Sequence, residues 1–134
     1  MTTFIDTNVL VSILNPKEKL HNWSVTKLSE CKAQGPAIIS DIVYCELSAG
    51  MATQNDVDAA ITAFGLQRYT TNDAALFSAG VAFKKYKARS GIKTNVLPDF
   101  LIGALAETVG VPLLTANGKD FVSYFPKLQI IAPT

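Results

Sequence analysis

Short apolar runs rich in β-branched residues recur along this chain, and segments with helical spacing separate them. The runs cover residues 2–5, 37–40, 111–115 and 128–131, and the segment 66–69 (LQRY) is predicted as a further strand. Strands that are apolar along their whole length fit a sheet that is buried on both faces, and strands joined by helices pair in parallel. The alternation therefore predicts a parallel sheet with helices packed on both of its faces.

The segments between the runs carry ordinary signals for helix starts and ends. Ser40 or Asp41 can cap one helix and Asn72 or Asp73 another, while Gly50 and Gly65 follow helix ends. The predicted helices cover residues 8–14, 21–32, 41–49, 56–64, 73–87, 98–109 and 120–125. The chain has 134 residues and no repeat or low-complexity tract, and its 49% hydrophobic content excludes a disordered protein. We therefore expect a single domain.

Four carboxylates occur next to apolar segments, where an ionised side chain is costly unless it is paired or bound to a cation. Asp6 ends the first strand, and Glu46 lies in the helix after the second strand. Asp99 lies in the first turn of the helix that leads into the fourth strand, and Asp120 opens the element after that strand. Because function gathers at the carboxyl ends of parallel strands, we expect these acids to converge on one spot.

A convergence of carboxylates predicts a site for a divalent cation. Close like charges resist joint ionisation, whereas Mg²⁺ or Mn²⁺ binds several carboxylate oxygens and keeps some of its waters. Such a site suits phosphodiester hydrolysis, because the metal activates water and stabilises charge on the reacting oxygens. Each acid also has a structural explanation. Asp6 or Asp120 could cap a helix, Glu46 could form a salt bridge, and Asp99 could interact with a helix dipole.

Four segments, taken in order, resemble PIN-domain ribonucleases of the VapC type. They are residues 4–10 (FIDTNVL), 40–50 (SDIVYCELSAG), 98–106 (PDFLIGALA) and 113–121 (LLTANGKDF). Each motif alone is weakly specific, but the ordered set covers essentially the whole chain. The resemblance implies a single PIN domain over residues 1–134, with a three-layer α/β/α fold and a mostly parallel five-stranded sheet.

The resemblance also implies a Mg²⁺-dependent endoribonuclease that acts as the toxin of a toxin–antitoxin pair. Its implied partners are an RNA substrate, a cognate antitoxin protein and a second copy of the chain in a homodimer. Asp6, Glu46 and Asp99 match the metal-binding acids of the family, with Asp6 and Asp99 as direct ligands. Thr7 and Thr115 match small hydroxyl residues beside the site.

One position departs from the family pattern. Many members have an acid two residues after the threonine of the fourth motif, where this chain has Asn117. An asparagine can ligate a metal through its carbonyl oxygen but adds no charge. Asp120, three residues further on, can supply the fourth carboxylate instead, so both residues stay candidates for completing the site.

One basic stretch precedes the Asp99 helix in a chain whose net charge is only +1. We expect its residues to hold RNA phosphates, although a solvated helix face is an equal alternative. Tyr86 lies within the stretch and could stack on a base. The basic residues are Lys84, Lys85, Lys87, Arg89 and Lys93.

The remaining residues with possible chemistry have simpler interpretations. Cys31 and Cys45 lie in apolar helical patterns and are expected to be reduced core thiols. The single histidine, His21, is expected at the surface or at a helix start. The chain shows no basic leader and no apolar run near the ~20 residues that cross a bilayer. We therefore expect a cytoplasmic protein without a membrane segment.

Two other classes of function compete with the nuclease. One is a catalytically silent PIN-like module that binds RNA or a partner, for which Asn117 is the only hint. The other is a small-molecule phosphohydrolase or nucleotide binder. It is disfavoured because the chain lacks a G-x-G-x-x-G motif, a P-loop and an Asp-x-Asp at the first strand.

Overall fold

The five predicted strands form one sheet in the computed structural model of the chain. The structure describes residues 1–89 and 96–134, except for the side chain of Asp120. Every strand pairing in this sheet is parallel. The strands are β1 (Thr3–Ile5), β2 (Ala37–Ser40), β3 (Leu66–Tyr69), β4 (Leu113–Leu114) and β5 (Ile130–Ile131). Their order across the sheet is β3-β2-β1-β4-β5. The predicted five-stranded sheet is confirmed.

Six of the seven helices follow the predicted segments closely, whereas the last one ends three residues earlier than predicted. They are α1 (Thr7–Leu14), α2 (His21–Gln34), α3 (Asp41–Ala49), α4 (Gln54–Phe64), α5 (Asp73–Ala88), α6 (Leu97–Val109) and α7 (Lys119–Val122). Side-chain caps account for four of the starts. Two of them are among the predicted caps, because Ser40 accepts from the backbone N–H of Val43 and Asn72 from that of Ala75. α4 and α6 both end at a glycine with positive φ.

The helices form two packed groups that meet at one place. α1 contacts α2 and α3, and α3 contacts α4, whereas α5 contacts α6 and α6 contacts α7; α3 also contacts α6 and so joins the two groups. The chain steps from β1 to β2 and β3 in one direction, then returns past β1 to β4 and β5. Right-handed crossovers place helices on opposite faces when the direction of stepping reverses. The result is the predicted three-layer α/β/α arrangement.

The sheet is buried at its centre and exposed at one edge. All residues of β1, β2 and β4 are buried. In β3 only Leu66 is buried, and Gln67, Arg68 and Tyr69 are exposed. The expectation that every strand is buried along its length is therefore wrong for β3, which is an edge strand and carries Gln67 and Arg68.

The two cysteines have different environments. Cys31 on α2 is buried, and burial raises the pKa of its thiol above the ordinary value of 9.0. Cys45 on α3 is exposed, so the prediction that it is a core thiol is wrong. The α3 segment is apolar nearly all round, but the helix buries Val43 and Leu47 and turns Cys45 outward.

Two aromatic rings of the C-terminal segment pack against a gap in α6. An ideal Cβ at Gly103 would lie 2.7 Å from the ring of Phe125 and 2.9 Å from that of Phe121, and both rings are buried. The missing side chain therefore lets the segment after β4 approach α6. Within the described residues, no helix is both long enough and apolar enough to span a membrane.

Candidate functional site

The site lies where the sheet order reverses. β1 pairs with β2 on one side and β4 on the other, and the chain leaves β1 toward β2 but enters β4 from the far edge. A crevice forms outside the carboxyl ends of strands at such a switch point. Asp6 follows β1 and Thr115 follows β4, so the first and fourth motifs meet there.

Both oxygens of the Asp6 carboxylate accept hydrogen bonds. Oδ1 accepts from the backbone N–H of Thr7 at 2.7 Å, and Oδ2 accepts from the Thr115 hydroxyl at 2.8 Å. Asp6 is only 4% exposed. The capping role considered from the sequence is confirmed, since Asp6 is the N-cap of α1. The same side chain also belongs to the site, and two bonds from two elements fix the plane of its carboxylate.

Thr7 links the first acid to the second. Its backbone N–H donates to Asp6, while its hydroxyl donates to Glu46 Oε1 at 2.7 Å. Glu46 is half-buried on α3, and it forms no ion pair with any residue that the structure describes. The salt-bridge explanation for Glu46 is therefore not supported by these residues. Thr7 instead ties α3 to the end of β1.

Asn8 joins the ends of β1 and β4 and was not singled out from the sequence. Its Nδ2 donates to Thr115 Oγ1 at 3.3 Å, and its Oδ1 accepts from the backbone N–H of Ala116 at 3.0 Å. The backbone N–H of Asn117 also donates to Thr115 Oγ1, at 3.2 Å. The only sequence signal for this role is the position of Asn8 two residues after the strand-end aspartate.

One cleft of about 560 Å³ brings the predicted acids together. Asp6, Glu46 and Asp99 all line it, together with Thr7 and Asn117. Asp99 lies in the first turn of α6, as predicted. Three acids that are far apart in sequence therefore share one concave surface at the switch point.

The loop between α1 and α2 closes another wall of the cleft. Glu18, Lys19 and Leu20 of this loop are among the lining residues. Sequence reasoning assigned them no role, because Asn15-Pro16 indicates only an ordinary break between helices. Nothing in the local pattern reveals that this break lies beside the acids.

The donor set suits a hard divalent cation, because Mg²⁺ and Mn²⁺ prefer carboxylate and amide oxygens. Asp6, Glu46 and Asp99 offer carboxylates, and Asn117 offers an amide carbonyl oxygen. Asp120 lies in α7, directly after β4, but its side chain falls outside the described part. Among the described side chains, no group of three or more His, Cys, Asp or Glu residues is compact enough to hold a metal unaided. The role of Asp120 as a metal ligand stays a prediction, because its side chain is not among those described.

The basic stretch lies mainly on α5. The side chains of Lys84, Lys85, Lys87 and Arg89 are exposed, and Lys93 lies outside the described residues. Among the described residues, those lining the acid cleft do not come from α5. The stretch therefore forms a separate surface next to the Asp99 helix.

Tyr86 lies on the same helix but is half-buried in an aromatic cluster. Its ring packs 5.7 Å from that of Phe100 and 6.2 Å from that of Tyr124, measured between centroids. The guanidinium of Arg89 lies 5.3 Å from the Tyr124 ring centroid. These contacts join α5 to α6 and to the segment after α7, so the structure gives Tyr86 a packing role.

Comparisons with known proteins agree on one family. The model of the PIN domain matches residues 3–124. Ribonuclease VapC1 of Rickettsia felis is 30% identical over 130 residues, which cover 90% of this chain and 89% of the relative. The solved VapBC2 complex of Rickettsia felis with a promoter DNA fragment has a TM-score of 0.75 and 21% identity, and 98% of each chain is covered. A toxin–antitoxin complex from Klebsiella pneumoniae has a TM-score of 0.67 and 22% identity, again with 98% of each chain covered.

Proposed function

The chain belongs to the PIN-domain family, and on this premise we propose that it is a Mg²⁺-dependent endoribonuclease that acts as the toxin of a toxin–antitoxin pair. The observation that carries the proposal is the convergence of Asp6, Glu46 and Asp99 on one cleft at the switch point of the sheet. The 30% identical relative is a ribonuclease of the VapC type, which supports the choice of RNA as substrate.

The proposed metal ligands are Asp6 and Asp99, with Glu46 and either Asp120 or Asn117 completing the oxygen set. Bound there, Mg²⁺ or Mn²⁺ would supply an activated water and stabilise negative charge on the phosphate oxygens. The hydroxyls of the two threonines position the acids, because one donates to Glu46 and the other to Asp6. The buried Asp6 carboxylate is thereby held in one orientation.

The basic side chains of α5 are the proposed docking surface for RNA phosphates outside the cleft. Replacing Lys84, Lys85 and Lys87 together by glutamine is expected to flatten the salt dependence of RNA affinity, with the slope falling by about one for each phosphate that is no longer neutralised. Fluorescence anisotropy with labelled RNA across a salt series measures this slope. An unchanged slope would assign α5 to a solvated face instead.

An antitoxin protein and a second copy of the chain are the proposed protein partners, in the cytoplasm. Support for the first comes from the similar solved complex, which pairs a toxin with an antitoxin. A groove of about 210 Å³ between α1, α2 and α4, lined by Ile13, Val25, Leu28 and Phe64 among others, suits an apolar peptide. The exposed apolar side chains of Leu76, Phe77 and Val81 on α5 suit a homodimer contact.

Cleavage of structured RNA by the purified chain in Mg²⁺, Mn²⁺ or EDTA tests the proposal. We expect cleavage only with metal, and its loss in Asp99→Asn. Asp56→Asn is the matched control, since Asp56 is also a first-turn acid and its replacement changes the net charge equally. Expressed alone, the wild-type chain should arrest growth and Asp99→Asn should not.

Cleavage that persists in EDTA or in Asp99→Asn would contradict the catalytic assignment. Folded protein that binds Mn²⁺ and RNA without cutting any RNA would instead favour the catalytically silent module. No comparison favours that alternative, and the three intact acids on one cleft argue against it.

A further inference from the structure

The loop that follows α1, residues 15–20, brings a positive charge to the cleft of the acids. Of the cleft-lining residues within the described part of the chain, Lys19 is the only cationic one. Glu18 and Leu20 line the same wall. The basic side chains of α5 are absent from these walls, so Lys19 is a different feature from the basic stretch.

The backbone around Lys19 is held in place. Asn15 accepts from the backbone N–H of Lys17 through its side chain, at 3.2 Å, and from that of Glu18 through its carbonyl, at 3.0 Å. The Glu18 carbonyl in turn accepts from the N–H of His21 at 3.1 Å. These bonds form two successive turns between the helices, so the position of Lys19 along the cleft wall is well defined.

The imidazole of His21 fastens the far end of the loop to α1. Its Nδ1 lies 2.8 Å from the carbonyl oxygen of Ser12, which is buried. A carbonyl can only accept, so Nδ1 carries the proton of this bond. His21 therefore has a structural role at a helix start, in agreement with the sequence prediction, and it ties the end of the loop to α1.

The ammonium group of Lys19 is available to a ligand. It is exposed, and within residues 1–89 and 96–134 it forms no hydrogen bond or ion pair. A phosphodiester that approaches Asp6, Glu46 and Asp99 is repelled by three like charges. A cation that lines the same cleft lowers that cost, and a lysine provides a mobile point charge suited to phosphate.

We propose that Lys19 binds a backbone phosphate of RNA inside the cleft and that the loop forms a phosphate subsite of the active site. This inference rests on the proposed nuclease function. The adjacent Glu18 limits the subsite to a single phosphate, because an acid at the next position opposes a continuous basic track. Lys19 is a substrate-binding residue, and its removal should raise KM while leaving kcat unchanged.

Lys19→Gln and Lys17→Gln form a matched pair, since both residues are exposed in one loop and only Lys19 lines the cleft. Binding of fluorescein-labelled, mixed-sequence single-stranded RNA is measured by anisotropy in EDTA, from about 50 to 200 mM salt. Lys19→Gln is expected to weaken binding roughly tenfold. It should also reduce the salt slope by about one. Lys17→Gln should leave the slope unchanged, and Lys19→Arg should restore most of the affinity.

Two results would overturn the inference and leave the proposed function standing. One is an unchanged salt slope in Lys19→Gln with cleavage intact. The other is a tighter Mn²⁺ affinity in Lys19→Gln without any effect on RNA, which would make Lys19 a counter-ion for the acids. Conversely, if the salt slope of RNA binding depends on Lys19 but the chain cleaves no RNA, the phosphate subsite would be supported and the proposed nuclease function contradicted. If the wild-type chain binds RNA neither in EDTA nor in Mg²⁺, the phosphate subsite and the proposed nuclease function would both be overturned.

Discussion

The hydroxyl proton of Thr115 helps to orient the buried acid of the site, together with the backbone N–H of Thr7. Thr115 Oγ1 accepts from Asn8 Nδ2 and from the backbone N–H of Asn117, which occupies both of its lone pairs. Its one proton is then directed to Asp6 Oδ2, at 2.8 Å. Asn8 thus acts on Asp6 through Thr115 and is a positioning residue of the candidate metal site.

Asn8→Ala is expected to lower both Mn²⁺ affinity and RNA cleavage by about 10–100-fold, as is usual for residues that orient metal ligands. It should also cost about 1–3 kcal/mol of unfolding free energy, because the Ala116 N–H loses its acceptor. Asn72→Ala is the control, since it removes the cap of α5 at a cost of about 1 kcal/mol away from the cleft. Calorimetric Mn²⁺ titration and urea unfolding separate the effects. Equal Mn²⁺ affinity in both variants would reduce Asn8 to a structural role.

The two thiols offer a direct check of side-chain placement. At about pH 8, an aromatic disulfide reagent should label Cys45 rapidly, because it is exposed. Cys31 should react only on unfolding, because it is buried and its raised pKa keeps the thiol protonated. Cys45→Ser should abolish the fast phase and leave the slow one. A fast phase that survives in Cys45→Ser would contradict the structure around α2.

At the scale of elements, periodicity and capping were sufficient to place every helix and strand, and several boundaries have a local cause. Ser40 and Asn72 are such causes, and both act as predicted. The last two strands and the last helix are shorter than predicted. Patterns failed where a property depends on the neighbouring element. The exposure of Cys45 depends on which face α3 buries, and the roles of Asn8 and Lys19 depend on which segments meet at the switch point. Sequence spacing contains neither kind of information.

Two glycines on neighbouring helices should respond to alanine in opposite ways. At Gly103 the added methyl would lie within 3 Å of two buried aromatic rings, so Gly103→Ala should cost about 1–3 kcal/mol despite the better helix propensity. At Gly80, exposed on α5, nothing lies within 4 Å of the added atom. Gly80→Ala should therefore stabilise the monomer by about 0.5–1 kcal/mol. Urea unfolding at a protein concentration that keeps the chain monomeric measures both, and a neutral Gly103→Ala would contradict the packing of Phe125 on α6.

On the scale of the whole molecule, the order of the strands creates the site. Asp6, Glu46 and Asp99 come from three separate elements, and only the reversal between β1 and β4 collects them at one edge. The sequence motifs predicted this convergence because strand ends in a parallel sheet share an edge. Like charges that share a cleft disfavour joint ionisation, so the fold and the proposed metal should be thermodynamically linked.

Glu46→Gln tests that linkage, because glutamine keeps an acceptor for the Thr7 hydroxyl and removes one of the three charges. In EDTA the variant should be at least as stable as the wild type. At Mn²⁺ one hundred times the wild-type Kd, the wild type should gain about 2.7 kcal/mol of unfolding free energy. The variant, with roughly tenfold or greater weakening of Mn²⁺ affinity, should gain about 1.4 kcal/mol or less, so the order of stability reverses.

Glu107→Gln is the matched control for this reversal. Glu107 is also a half-buried glutamate that accepts one hydrogen bond, from the backbone N–H of Lys127 at 3.0 Å, and it does not line the cleft. Its variant should gain as much from Mn²⁺ as the wild type. Urea unfolding of the wild type, Glu46→Gln and Glu107→Gln, each with and without Mn²⁺, gives the six free energies of unfolding that are compared. Equal gains of unfolding free energy from Mn²⁺ in Glu46→Gln and Glu107→Gln would show that Glu46 does not bind the metal. Asp6 and Asp99 would then have to bind the metal without the Glu46 carboxylate.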